Sequence, residues 1–95
     1  MIETNRFDIV KYLNSDEAIA IYLTEIAETG DSNDFIVALG DIARAKGITE
    51  ISQKTGLARE SIYKSLSNGA KPRFDTVMRI MQALNLKPQY AVSLR

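Results

Sequence analysis

Five side chains on one short stretch could contact nucleic acid. If Ile62 and Leu66 face inward, a helical repeat of about 100° per residue turns Glu60, Tyr63, Lys64 and Ser67 outward. Arg59 then lies on the flank, near the start of the same helix. Arg and Lys can pair with guanine edges or phosphates, Glu can accept from cytosine, and Tyr can bond a phosphate or pack on a thymine methyl. Lys54, Lys71 and Arg73 fall on the flanking turns, where phosphate contact suits them better than base contact. Taken singly, each is also what an ordinary solvated helix face carries. The turn that precedes them and the charge distribution of the chain favour nucleic acid.

The stretch from Gly47 to Arg73 is built to hold these groups. Two short amphipathic segments, expected over 49–55 and 58–68, meet at Gly56. The first carries Ile48 and Ile51 inward, with small Ser52 where the helices approach. Gly56 permits a left-handed turn, and Leu57 fills the angle, which is what a helix-turn-helix needs. Asn68 and Gly69 close the second segment, and Pro72 forces a new start.

The chain has 95 residues, enough for one domain with one modest core. Net charge is zero, but residues 1–50 hold four Lys/Arg against ten Asp/Glu, a net of −6, and residues 51–95 hold eight against two, a net of +6. The basic half contains the candidate contacts. The acidic half suits a cationic partner, or is simply a solvated face. There is no cysteine and no histidine, which removes disulfides, thiolate metal sites and the commonest general base. Catalysis would need paired carboxylates, and Asp31 with Asp34 or Glu25 with Glu28 read more simply as helix-start and helix-surface charges. An enzyme, a metal and a cofactor are therefore not expected. Neither a membrane span nor a signal-peptide pattern is visible, so a cytoplasmic protein is expected.

Around the central pair, residues 1–14 are ambiguous, since Phe7, Val10 and Leu13 fit only a short helix. Asn14 with Glu17 resembles a capping box opening a helix over 15–29, with Ile19, Tyr22, Leu23 and Ile26 inward and Gly30 ending it. Asp31 or Ser32 can cap a helix over 33–46 that buries Phe35, Ile36, Leu39, Ile42 and Ala43 and stops at Gly47. A last helix over 74–85 places Phe74, Val77, Met78, Met81 and Leu84 inward. After Pro88, Tyr90, Val92 and Leu94 alternate as a short half-buried strand. Such a strand must pair with the N-terminal segment or with a second copy, or its apolar side chains must fold back on the core.

Residues 47–86 resemble the helix-turn-helix of the Xre or λ-repressor-like family. More narrowly, the chain from Phe7 to the tail resembles the antidote proteins (antitoxins) of bacterial toxin–antitoxin addiction modules. The resemblance is carried by Phe7 and Asp8, Tyr12 and Leu13, by residues 38–45 (Ala-Leu-Gly-Asp-Ile-Ala-Arg-Ala), by residues 56–66, by Asn68 and Gly69, and by residues 71–74. It implies an all-α, five-helix λ-repressor-like DNA-binding domain with a helix-turn-helix, plus a short C-terminal strand. Residues 1–46 would be N-terminal helices and a partner-binding region, 47–86 the helix-turn-helix core and 87–95 a strand-like tail. It also implies binding to double-stranded operator DNA, repression of the protein's own operon, and neutralisation of a small basic toxin of the RelE/ParE type. Asp8, Tyr12, Glu25 and Glu28 are candidate toxin contacts.

Two residues depart from the family pattern. Ala58 stands where Ser is usual, losing a side-chain N-cap worth about 1 kcal/mol. Asn85 stands where glycine commonly ends the last helix, and Asn tolerates the left-handed conformation. A homodimer is expected, because one recognition helix reads too few base pairs for useful specificity. The C-terminal strand and Met78 or Ile80 are candidate dimer elements. The alternative is a stand-alone Xre-type, phage-like repressor with no toxin, which shares every DNA-binding residue.

Overall fold

The computed structural model describes residues 6–93, and among them every regular element is an α-helix. These are α1 Arg6–Tyr12, α2 Asp16–Thr29, α3 Ser32–Lys46, α4 Ile48–Thr55, α5 Arg59–Ser65 and α6 Phe74–Ala83. The ambiguous N-terminal segment thus contributes a sixth helix beyond the five expected. Leu13, just past its end, is buried.

Helix α3 is the hub, packed against α1, α2 and α4, and α4 in turn packs against α5 and α6. Its inward face, Ala38, Leu39, Ile42 and Ala43, is fully enclosed and meets Ile19 and Leu23 of α2 in one core. Asp31 caps α3, accepting from the Asp34 amide, while the Asp34 carboxylate accepts from the Asp31 amide. This reciprocal box satisfies two otherwise orphaned donors. Helix α2 is capped by Ser15, whose hydroxyl accepts from the Ala18 amide at 3.1 Å. The expected pair of Asn14 with Glu17 is therefore displaced by one residue, since the neighbouring hydroxyl already holds the third amide.

Polar groups stitch the corner between α4 and α5. Gly56 is left-handed at φ 77° and its amide donates to the Ser52 carbonyl at 2.9 Å. The buried Thr55 hydroxyl donates to the Ile51 carbonyl at 2.7 Å and accepts from the Leu57 amide at 3.2 Å. Ser52 donates its hydroxyl to the Leu57 carbonyl. Leu57 packs against the core, as its place in the angle requires. No side chain caps α5 at Ala58, as its alanine implies.

Three expectations about the C-terminal third need correction. Phe74 is not inward but 75% exposed, because α6 begins there and turns Val77, Ile80, Met81 and Leu84 to the core. Ile80, offered as a dimer contact, is wholly buried and not available to a partner, while Met78 is half-buried. No strand is found among the described residues. The stretch 86–93 has neither helix nor ladder, and Tyr90 and Val92 stand in solvent rather than folding back on the core. A strand needs a second strand to take up its backbone hydrogen bonds, and no described segment supplies one. Leu94, the last residue of the expected alternation, lies outside the described residues. Asn85 ends the last turn at φ 60°, in the left-handed region expected of it.

Candidate nucleic-acid interface

The short helix α5 owes its orientation to Ile62 and Leu66, both buried. That anchoring leaves Arg59, Glu60, Tyr63 and Lys64 exposed, with Ser67 exposed just beyond the helix end. Arg59, in the first turn of α5, reaches back to α4, its guanidinium 3.5 Å from the Thr49 hydroxyl. Tyr63 is 44% exposed, and the Arg44 guanidinium from α3 lies 5.4 Å from its ring centroid. This cation–π contact fixes the ring while leaving its hydroxyl edge outward. Ser67 turns its hydroxyl back to the Lys64 carbonyl at 2.9 Å.

The flanking cations divide into two kinds. Lys54 pairs with Glu50 at 3.4 Å, and Arg73 with Asp75 at 3.3 Å, both at the surface. Exposed pairs of this sort are worth at most about 1 kcal/mol, so either cation can be drawn to another anion. Lys64 and Lys71 make no ion pair with any described residue. With Ser67, Asn68, Gly69 and Pro72 they line a shallow open groove between the end of α5 and the start of α6. The structure thus brings Lys64, Ser67 and Lys71 to one groove and Arg59, Glu60, Tyr63 and Lys64 to one helix face. Lys54 and Arg73 lie outside the groove.

Several supporting residues escape sequence reasoning. Asp41 is 1% exposed, accepts from the Tyr22 hydroxyl at 3.0 Å and has Arg44 at 3.9 Å. A continuous polar path therefore runs from α2 through Asp41 and Arg44 to Tyr63 on α5. The spacing of three between Asp41 and Arg44 is visible in the sequence, but nothing there shows that Tyr22 and Tyr63 lie at its ends. Gly40 faces α5, and a Cβ there would lie 2.9 Å from the Leu66 carbonyl oxygen. Asn33, at the start of α3, bonds both Asn68 and Gly69.

The acidic half presents its own face. Glu17, Ile21, Glu25 and Glu28 recur on one side of α2 and all are exposed, Ile21 at 59%. The helix contains no Lys or Arg. Asp16 is engaged by Lys46 at 2.6 Å, and the three glutamates make no ion pair among the described residues. Tyr12, at the end of α1, is also exposed, and the side chain of Asp8 lies outside the described residues. No helix among the described residues is long and apolar enough to cross a membrane.

A family model described as a probable addiction module antidote protein matches residues 3–92. A Haemophilus influenzae protein described only as uncharacterized is 45% identical over 83 residues, which is 87% of this chain and 86% of the relative. No solved structure matches the chain.

Proposed function

We propose that this chain, which belongs to the family of probable addiction module antidote proteins, is a cytoplasmic antitoxin with two working surfaces. In this reading α4 and α5 form the helix-turn-helix of a λ-repressor-like domain of the Xre type. A homodimer sets α5 of each copy into the major groove of a palindromic operator and represses the protein's own operon. Arg59, Glu60, Tyr63 and Lys64 meet base edges. Ser67, Lys71, Lys54 and Arg73 meet phosphates. The observation that carries the reading is the α5 face itself, with four polar groups exposed on a helix whose opposite side is wholly buried.

Titration of the duplex upstream of the protein's own reading frame tests this surface. Affinity should fall steeply with salt, because Lys and Arg displace counterions from the phosphates. Arg59→Ala and Lys64→Ala should each cost about 1–3 kcal/mol where the wild-type side chain makes a bidentate base contact. Wild-type affinity in both variants would remove α5 from the interface.

The second surface is the acidic face of α2, which we assign to a small basic toxin of the RelE/ParE type. Its glutamates lack internal partners, so a cationic partner meets carboxylates that need not break an existing pair. Replacing Glu25 and Glu28 together by Gln should raise the toxin dissociation constant several-fold, at a few tenths to about 1 kcal/mol per lost pair. Calorimetric titration checks this, and an unchanged constant would refute an electrostatic attachment at α2.

A further inference from the structure

We infer that Asn33 is a positioning residue for phosphate binding: it fixes the wall of the groove that carries Lys64 and Lys71. The inference rests on the DNA-binding reading above but concerns a residue on a different helix, 36 positions before Gly69.

The wall of this groove is the connection from Ser67 to Arg73, which belongs to no helix. Internally it has one backbone bond, from the Ala70 amide to the Ser67 carbonyl at 3.0 Å. Its firmest hold comes from outside. The Gly69 amide donates to Asn33 Oδ1 at 2.7 Å, and Asn33 Nδ2 donates to Asn68 Oδ1 at 2.7 Å. A backbone amide can only donate, so the oxygen of Asn33 must face Gly69 and its nitrogen must face Asn68. Both ends of one side-chain amide are thus spent on two successive residues of the loop.

Asn33 sits in the first turn of α3, the most enclosed helix of the fold, so the loop is referenced to the core rather than to the short α5. Gly69 holds φ 83°, a left-handed conformation in which nothing crowds its Cα. That leaves the Asn33 contact, not packing, to keep the turn in place. Asn is also a poorer helix former than Ala, so its place in the first turn is not explained by helix stability. Lys71 lies two residues beyond this grip and Lys64 on the opposite wall, both without an internal anion. Fixing the loop sets the spacing of two cations that must match successive phosphate oxygens.

Asn33→Ala tests the assignment in the full-length protein. The Gly69 amide should exchange with solvent faster than in the wild type, while the helical circular-dichroism signal is retained. Affinity for the upstream duplex in about 0.1 M salt should fall about tenfold, and the slope of log affinity against log salt should become shallower by about 1, the signature of one lost phosphate contact. Asn68→Ala, which breaks only the side-chain bond, should give a smaller change in the same direction and covers the case in which the first variant folds poorly. Wild-type slope and affinity in a folded Asn33→Ala protein would overturn the inference while leaving the DNA-binding reading intact. Absence of salt-dependent binding by the wild type would overturn both.

Discussion

Replacing Gly40 by valine should cost about 3 kcal/mol of stability and abolish operator binding together. The argument is steric. An added Cβ meets the Leu66 carbonyl oxygen at 2.9 Å, the Arg44 guanidinium at 3.2 Å and the Leu66 Cβ at 3.4 Å. Arg44 can swing away, being the end of a flexible chain. The Leu66 carbonyl cannot, because it is backbone at the end of α5. Overpacking a tight interface typically costs about 1–3 kcal/mol, and valine adds two methyl groups beyond the first carbon. Alanine makes a useful contrast, since its better helix propensity returns about 1 kcal/mol and leaves a smaller net loss. In thermal unfolding the valine variant should melt about 15 °C below the wild type. An unshifted midpoint would mean that α3 and α5 are not in the contact described.

Asp41→Ala should be comparably damaging for a different reason. The carboxylate is almost wholly enclosed and takes the Tyr22 hydroxyl, with Arg44 alongside. Its removal strands a part-buried hydroxyl and frees the cation that rests on Tyr63. Deleting one member of a buried charged network costs about 3 kcal/mol. Tyr22→Phe should cost less, because Asp41 retains Arg44. The double variant should lose less than the sum of the two single changes, since the removed groups share one bond. Urea denaturation of the four proteins measures this directly. Strict additivity would show that Tyr22 and Asp41 do not act on each other.

The helices were legible in the sequence because local chemistry decides them. Gly47 and Gly56 punctuate the chain, Asp31 caps α3, and the apolar spacing of α2 and α3 matches one buried face. The exposed side of α5 was legible for the same reason, because Ile62 and Leu66 leave only one way to turn it. What sequence reasoning missed depends on contacts between distant residues. Asn33 reaches Gly69, Tyr22 reaches Asp41, and Arg44 crosses to Tyr63, and no periodicity encodes such pairs. Phe74 was misplaced by one-sided reasoning: it fits the apolar stripe of α6, but as the first residue of that helix it lies beyond the core. The tail misled differently. Alternation is a necessary pattern for a strand, yet without a pairing partner the same residues remain in water.

Of the two proposed surfaces, the acidic face of α2 separates an antitoxin from a repressor that works alone. The most direct measurement is to co-express the tagged chain with the small reading frame beside its gene and weigh the purified product. The account predicts a stoichiometric complex with a basic protein that arrests growth when expressed alone and is harmless in the complex, and whose attachment weakens when Glu25 and Glu28 become Gln. Recovery of the chain with no partner, its operator binding intact, would contradict the antitoxin account and leave a stand-alone repressor.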